Sequence, residues 1–359
     1  MTELSEATAD MARTVAGTKP FGAKCDILQT RIKSAGRYDY AICLPVRNEA
    51  CLLPATLEAI GAAMRNADGT GVLVAVCNDT QDRSAGIIAT WAERMDVPHA
   101  VVEISLARSV RGAPHCRRFA FDLGAMLAPA GILMTSDADS IVPPGWIARA
   151  QSILSYASMA CGPVSLSPGE LAGLPPMVEQ VGVAERAYGM AIAKLWRRLT
   201  GDVVVPFLNP ASGANMAITA AAYGWCGGQP LPSVGEDKAL YELCLRKGLP
   251  IAPVELDGVT TSSRVKGRAK GGCAAALLER SVDPDPWCDQ FLVPPAVVHR
   301  RAQRWRSMPI DERRIGRFLA HCRIDPALIA QPMRYSEVLD ALAKTGRTCL
   351  DEFRVAALS

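Results

Sequence analysis

The chain has 359 residues, of which 49% are hydrophobic, and its 39 basic and 36 acidic side chains give a formal net charge of +3. This amount of apolar material is sufficient for one large or two modest domains. The near-balance of charge excludes the strong positive field that many nucleic-acid-binding proteins carry, so we predict no nucleic-acid partner and expect any anion site to be local.

The spacing of the twelve cysteines argues against two classes of protein. No pair has the close spacing of a zinc site, and Cys43 and Cys77 lie inside apolar runs, where cysteine behaves as a small hydrophobic residue. We therefore expect neither a zinc site nor a secreted disulfide scaffold, and we predict a reducing, cytoplasmic location.

The apolar segments are too short for a membrane protein. Residues 1–20 lack the basic start and apolar core of a secretory signal. The longest apolar runs, such as Val72–Cys77, fall far short of the roughly 18–20 residues that a membrane span needs. The sequence thus predicts no transmembrane segment, although peripheral contact with a membrane stays compatible with it.

Hydrophobic periodicity predicts alternating strands and helices. Residues 1–37 are expected to form a flexible lead-in. Buried strands are predicted at 40–44, 72–77, 100–104 and 131–134, and helices at 53–64, 84–95 and 116–128. This alternation is typical of an α/β protein with a doubly wound, mostly parallel sheet.

The pattern changes towards the C-terminus. Residues 38–275 are predicted to form the main α/β domain, and residues 276–359 a helical C-terminal extension. The run 299–317 is rich in arginine. It could serve as a solvated helix face, as a site for a phosphate-bearing acceptor, or as a contact with an anionic membrane surface.

Polar residues follow three of the predicted strands. In doubly wound sheets, ligands bind outside the carboxyl ends of the strands, so these residues are expected to converge on one edge. They are Arg47-Asn48-Glu49 after the first strand, Asn78-Asp79 after the second, and Asp137 and Asp139 after the fourth.

The Asp137-Ala138-Asp139 segment is a candidate metal site. Two carboxylates directly after a buried strand are costly unless a cation pairs with them. Mg²⁺ and Mn²⁺ sites typically use one or two carboxylates together with substrate phosphates. A solvated surface turn is the alternative interpretation, because aspartate also favours turns.

These blocks, taken in order, resemble family 2 glycosyltransferases of the GT-A fold. The similarity covers roughly residues 40–260. It is carried by Leu44–Glu49, Asn78-Asp79, Ser136–Asp139, Gly213–Ile218 and Gly235–Asp237. The fold class expected from the resemblance is a GT-A-like doubly wound, mostly parallel α/β sheet.

The resemblance implies a role for each block. A nucleotide-sugar donor is expected, with Mn²⁺ or Mg²⁺ as cofactor, Asp139 as the principal metal ligand and Asp137 in the metal shell or near the ribose. The implied acceptor-side segment is Gly213, Ala214 and Asn215. The implied donor-binding residues are Pro45, Arg47, Asn48, Glu49, Asp79, Arg117, Asp137 and Arg264.

The resemblance also points to Asp237 as the catalytic base, with Glu236 beside it. Attack by an acceptor hydroxyl needs a carboxylate within hydrogen-bond reach of its proton. One base without a second carboxylate as nucleophile fits a single displacement, and hence inversion at the anomeric carbon. Both residues are also suited to the N-terminus of a helix, and the two interpretations are compatible.

Two basic segments are candidates for the leaving diphosphate. Arg111 and Arg117 precede the fourth predicted strand, in a stretch resembling the one where a family arginine reaches the donor. The glycine-rich segment 261–272 resembles a closing loop, with Arg264 as its favoured cation, or is an ordinary exposed loop.

The sequence as a whole predicts an inverting glycosyltransferase that moves a sugar from a UDP- or GDP-sugar to an acceptor hydroxyl. The acceptor class stays open among small molecules, glycans and lipid-linked acceptors. Two other readings stay open: a nucleotidyltransferase of similar fold, and a catalytically silent nucleotide-sugar-binding protein.

Overall fold

A computed structural model describes residues 3–33, 36–265, 272–309 and 314–345. Its centre is an eight-stranded sheet formed by β1 (Cys25–Lys33), β2 (Tyr40–Val46), β3 (Gly71–Asn78), β4 (His99–Leu106), β5 (Ile132–Thr135), β7 (Met159–Cys161), β9 (Met216–Thr219) and β10 (Ile251–Ala252). A small second sheet contains β6 (Ser140–Ile141), β8 (Val164–Leu166) and β11 (Val259–Thr261).

Helices separate most of the strands. They are α1 (Glu3–Gly17), α2 (Leu53–Arg65), α3 (Ser84–Arg94), α4 (Ala113–Leu127), α5 (Trp146–Leu154), α6 (Pro168–Leu171), α7 (Pro176–Thr200), α8 (Ala220–Cys226), α9 (Glu236–Arg246), α10 (Cys273–Val282), α11 (Pro295–Ser307), α12 (Ile315–Ile324) and α13 (Tyr335–Thr345).

The order of the large sheet is β1-β4-β3-β2-β5-β9-β7-β10. Strand β2 is parallel to both β3 and β5, and β3 is parallel to β4, whereas β9 runs antiparallel to β5 and β7. The chain moves outward from β2 to β4 and then returns to the other side of β2 with β5. The strand order therefore reverses between β2 and β5, which is the position where doubly wound sheets bind ligands.

Helices cover both faces of this sheet. Ala41 and Cys43 of β2 pack into one core with α4, while Ile42 and Leu44 pack into a second core with α2, α3 and α5. Alternate residues of a strand point to opposite faces, so a central strand between two helical layers has to be apolar throughout. The predicted α/β doubly wound, mostly parallel fold is confirmed.

The N-terminal segment differs from the flexible lead-in expected for residues 1–37. Residues 3–17 form α1, and β1 pairs antiparallel with β4 along the edge of the large sheet. Ala12, Val15 and Phe21 are buried in the core that also contains α4. The segment is ordered by this packing and strand pairing, to which its mixed local composition gives no clue.

The helical C-terminal extension packs on the long helix α7. Trp196 of α7 contacts Phe207, Trp305 and Phe318, with ring centroids 5.2 to 6.2 Å apart. Arg301, in the arginine-rich run, is buried and donates a hydrogen bond to the carbonyl of Leu328, so this arginine belongs to the core of the extension.

Two earlier expectations fall partly outside the described residues: the basic stretch 266–271 of the glycine-rich segment, and residues 346–359 of the extension. Among the helices of the described ranges, none combines the length and the apolar character that crossing a bilayer requires.

Candidate active site

The site is built from the carboxyl ends of β2 and β5, at the point where the strand order reverses. Glu49 follows β2, and Asp137 and Asp139 follow β5. Strand β11 pairs antiparallel with β6, which starts at Ser140, and this pairing brings Ser262 and Arg264 beside Asp139. Residues that are more than two hundred positions apart in sequence thus meet at one edge of the sheet.

Asp139 is a largely buried carboxylate beside Asp137 and Glu49. Its side chain is 12% exposed, and Nη2 of Arg264 lies 2.8 Å from its Oδ2. Burial is the main reason, with the charge of Asp137 second, why the pKa of Asp139 is raised to about 6. A carboxylate in this position favours a cationic partner, because burial and a neighbouring like charge both disfavour its ionised form.

Arg264 is that partner in the structure. Its two terminal nitrogens bind the Glu49 carboxylate, with Nη1–Oε2 at 2.6 Å and Nη2–Oε1 at 2.5 Å. The same Nη2 reaches Asp139. A forked guanidinium suits this bidentate geometry, so Arg264 joins the residue after β2 to the residue after β5. The structure brings together three of the predicted site residues here.

Arg117, on α4, links the aspartates to the other half of the site. Its Nη2 lies 2.7 Å from Oδ1 of Asp137, and its Nε lies 3.1 Å from Oε1 of Glu236. Its Nη1 donates to Oγ1 of Thr135 at 2.6 Å and to the carbonyl of Gly213 at 2.7 Å. These contacts satisfy the guanidinium on three sides.

The burial of Arg117 differs from the donor-facing cation that the resemblance implies. Its side chain is only 5% exposed. Burial alone disfavours its charge, but the carboxylates of Asp137 and Glu236 outweigh this effect and raise the pKa of Arg117. Arg117 therefore lies beneath the surface of the site and holds the carboxylates of Asp137 and Glu236 in place. Of the two cations, Arg264 is the more exposed.

The backbone of Gly213 makes the contact with Arg117 possible. A Cβ at this position would lie 2.5 Å from Nη2 and 2.6 Å from Cζ of Arg117. Such distances are shorter than any van der Waals contact. The glycine of the predicted acceptor-side segment is thus needed for the close approach of the guanidinium.

Glu236 and Asp237 are the first two residues of α9, preceded by Gly235 in a left-handed conformation with φ of 80°. Glu236 is buried against Arg117, whereas Asp237 is partly exposed. Asp237 accepts hydrogen bonds from the amide of Gly213, at 2.9 Å to Oδ2, and from the amide of Lys238, at 2.8 Å to Oδ1. Of this pair, Asp237 is the more accessible carboxylate.

The turns after β2 and β3 carry two left-handed residues that are not glycine. Asn48 has φ of 53° and Asp79 has φ of 47°. Oδ1 of Asn48 accepts the amide of Gln81 at 2.7 Å, and Asp79 pairs with Arg111 at 3.0 Å. Asparagine and aspartate adopt this conformation more readily than other residues with a side chain, and here it shapes the turns at the carboxyl ends of two parallel strands.

Two polar atoms at the ends of β2 and β3 are buried without a hydrogen-bond partner among the described residues. They are Nε of Arg47 and Oδ1 of Asn78. Such atoms cost free energy unless a ligand or water satisfies them. Their place beside Pro45 and Asn48 makes them candidate contacts for a bound molecule.

Asn215 has a structural role in the predicted acceptor-side segment. It is fully buried, and its Oδ1 accepts from Nε1 of Trp146 at 2.9 Å. Its Nδ2 donates to the carbonyls of Pro163 and Asp257 at 3.0 and 2.8 Å. Ala214 is also buried, and its carbonyl accepts from Ser136. Neither side chain is available to an acceptor, so both fix the start of β9.

Sequence reasoning missed Glu170, which lies within the short helix α6. Its Oε2 accepts a hydrogen bond from Oγ of Ser262 at 2.8 Å and from the amide of Ser263 at 2.5 Å. Glu170 therefore holds the strand end that presents Arg264. No local motif marks this residue, since its partners lie more than ninety positions away.

Asp137 and Asp139 are the residues that could hold a divalent cation. Within the ranges that the structure describes, no group of three or more histidine, cysteine, aspartate or glutamate side chains is arranged as a metal site. A two-carboxylate site fits Mg²⁺ or Mn²⁺, because these ions commonly complete their shell with water and substrate phosphates.

Comparisons with protein-family models and with curated proteins give no match for this chain. Among solved structures, it resembles mannosyltransferase PcManGT from Pyrobaculum calidifontis, in complex with GDP-Man and Mn²⁺, at 18% identity and a TM-score of 0.48, with 99% of this chain and 89% of that chain covered. The likeness to S. aureus TarS has 11% identity, a TM-score of 0.45 and coverages of 68% and 71%.

A further similar structure is glucosyl-3-phosphoglycerate synthase from Mycobacterium tuberculosis in complex with Mg²⁺ and UDP, at 18% identity, a TM-score of 0.38 and coverages of 68% and 78%. All three similarities have TM-scores below 0.5 and identities below 25%, so they describe a distant likeness. The roles of individual residues in this chain rest on the contacts described above.

Proposed function

We propose that this chain is a glycosyltransferase that moves a sugar from a UDP- or GDP-sugar to an acceptor hydroxyl, with inversion at the anomeric carbon. The observation that carries the proposal is the pairing of two half-sites at the switch point of the sheet. One half contains Asp137, Asp139 and Arg264, and the other contains Asp237. Arg117 connects them through Asp137 and Glu236.

Asp237 is proposed as the general base. A base has to keep a carboxylate oxygen within reach of the acceptor hydroxyl and hold a fixed orientation. The amides of Gly213 and Lys238 fix both oxygens of Asp237 and leave the remaining lone pairs to accept a proton. Glu236 is proposed as a positioning residue, because its carboxylate is buried against Arg117.

The first half-site is proposed to bind the donor diphosphate and a Mn²⁺ or Mg²⁺ ion. When bound, such an ion supplies Lewis-acid stabilisation of the leaving diphosphate. Asp139 would be its principal ligand and Asp137 its second, since two neighbouring carboxylates, one of them only 12% exposed, are stabilised by a cationic partner. Arg264, which already neutralises this cluster, is proposed to contribute positive charge beside the diphosphate.

Donor recognition is proposed for the ends of β2 and β3. Pro45, Arg47 and Asn48 follow or end β2, and Asp79 follows β3. The unpartnered buried atoms there, Nε of Arg47 and Oδ1 of Asn78, offer a donor and an acceptor of hydrogen bonds. Such atoms suit a nucleoside, whose ring edges and ribose hydroxyls both donate and accept.

The test is a calorimetric titration of the purified protein with UDP, GDP, ADP and CDP, each with and without Mn²⁺. We expect one uridine or guanosine diphosphate to bind only with the metal, and Asp139→Asn to remove that binding. Asp96→Asn is the matched control, since Asp96 is exposed, pairs with Lys33 and stands in a turn where asparagine is well tolerated. Failure of all four nucleotides to bind would refute the proposal.

A second measurement separates transfer from binding alone. Asp237→Asn is expected to keep the calorimetric signal of the diphosphate and to lose sugar transfer, which is followed as release of the nucleoside diphosphate from the sugar donor in the presence of candidate acceptors. Normal turnover in this variant would remove Asp237 as the base. Binding without turnover in the unmodified protein, across sugars and acceptors, would favour the silent binding protein instead.

A further inference from the structure

Two cysteines meet outside the proposed active site. Cys226 is the last residue of α8, and Cys244 lies near the end of α9. Their sulfur atoms are 3.7 Å apart, in direct contact. This pair is eighteen positions apart in sequence, so no close-spaced cysteine motif announces it.

The two thiols have different surroundings. Cys244 is completely buried in the core with Tyr223 and Tyr241, while Cys226 packs on the rim of that core and is partly exposed. The hydrogen bond between the thiols lowers the pKa of Cys226, an effect to which Lys247 adds, and raises the pKa of Cys244. A partly exposed thiol in contact with a fully buried one is the arrangement of an attacking and a resolving cysteine.

We propose that Cys226 and Cys244 form a reversible disulfide, which makes this pair a redox modification site. The sulfur atoms have to approach from 3.7 Å to about 2.05 Å. Cys226 is the last residue of α8, and the end of a helix can adjust its backbone more readily than its middle.

The oxidant is a small-molecule disulfide such as oxidised glutathione. The Cys226 thiolate attacks one sulfur of that disulfide, forms a mixed disulfide and releases one glutathione thiolate. Cys244 then gives up its proton, its sulfur attacks the Cys226 sulfur, and a second glutathione thiolate leaves. The protein loses two hydrogen atoms, and one molecule of oxidised glutathione becomes two of the reduced form.

The disulfide would join α8 and α9, the two helices on either side of the loop 227–235. Residues 227–235 run from the end of α8 to the start of α9, where Glu236 and Asp237 stand. A disulfide between Cys226 and Cys244 closes this loop into a covalent ring. Its formation is independent of whether Asp237 is a catalytic base, so the proposal can be tested by thiol chemistry alone.

The experiment treats the native full-length protein with oxidised glutathione, alkylates the remaining thiols and maps the peptides by mass spectrometry. We expect a cross-linked peptide with Cys226 and Cys244, and glutathione retained on Cys226 at a level on the order of tenfold below that on Cys51. Cys51 is the control, as it is exposed and contacts no other sulfur among the described residues. Added reductant should restore both free thiols.

Two variants sharpen the test. In Cys244→Ser, the mixed disulfide on Cys226 has no resolving thiol, so Cys226 is expected to retain glutathione as Cys51 does. In Cys226→Ser, which changes only the partly exposed residue, the cross-link should disappear and Cys244 should stay unmodified. Absence of the cross-linked peptide in the unmodified protein, under conditions that modify Cys51, would overturn the proposal.

Discussion

The side chain of Arg117 lies between Asp137 and Glu236, with Nη2–Oδ1 at 2.7 Å and Nε–Oε1 at 3.1 Å. One buried cation thereby joins the candidate metal segment to the first turn of α9. Arg117 and Glu236 are both buried, and a buried charge that loses its partner is costly. This relationship makes Arg117 a sensitive position for stability and for the geometry of the site.

Arg117→Met should destabilise the fold strongly. Loss of the guanidinium leaves the buried carboxylate of Glu236 without its partner, a change that costs about 3–5 kcal/mol in the free energy of unfolding. Denaturant-induced unfolding measures it. Arg94→Met is the control, because Arg94 pairs with Glu58 at the exposed surface and its loss should cost less than about 0.5 kcal/mol. Equal effects in the two variants would contradict the role assigned to Arg117.

Gly213→Ala should disturb the same guanidinium through its backbone neighbour. The added Cβ would come within 2.6 Å of Cζ of Arg117, so the arginine has to leave its position between the carboxylates. We expect a loss of about 1–3 kcal/mol in stability, as in other overpacked sites. Donor binding should weaken as well, and calorimetry can follow it.

The control for this glycine lies in α7. Gly189 has no atom within 4 Å of the Cβ that alanine would add, and it stands in the middle of a helix. Gly189→Ala should therefore raise the free energy of unfolding by up to about 1 kcal/mol. A destabilised Gly189→Ala together with an unaffected Gly213→Ala would refute the steric argument.

Arg264→Ala should change metal binding in the absence of nucleotide. Arg264 neutralises Glu49 and Asp139, so its removal leaves a more negative cluster for a divalent cation. We expect Mn²⁺ to bind on the order of tenfold more tightly, equivalent to about 1.4 kcal/mol. Titration of the apoprotein with Mn²⁺ measures this, and unchanged or weaker binding would show that Arg264 does not compete for the aspartates.

Trp305→Ala should destabilise the packing of the C-terminal extension on α7. Trp305 is buried against Trp196 and Phe318, and its Nε1 donates to Asp202 at 2.5 Å. Loss of a buried tryptophan costs about 3–5 kcal/mol in the free energy of unfolding. Trp225→Ala, at a side chain that is 67% exposed, provides the matched control and should change stability little. An equally mild effect at Trp305 would contradict its place in this core.

Much of the sheet could be predicted from the sequence, because a buried parallel strand needs a continuous apolar run and its helices need an apolar stripe. The run Val72–Cys77 lies within β3, and the predicted helix 84–95 matches α3 within one residue. The carboxyl-end residues Glu49, Asp137 and Asp139 were also predictable as a group, since parallel strands end at the same edge.

The tertiary structure alone decided which of these side chains contact each other. Arg264 binds Glu49 across 215 positions of sequence, and Arg117 is turned inward to Glu236. The side-chain nitrogen of Asn215 donates to two backbone carbonyls. The N-terminal strand β1 is likewise held by its pairing with β4. Local periodicity determines the elements because it reflects burial within one segment, whereas ion pairs and edge strands depend on the order in which distant segments assemble.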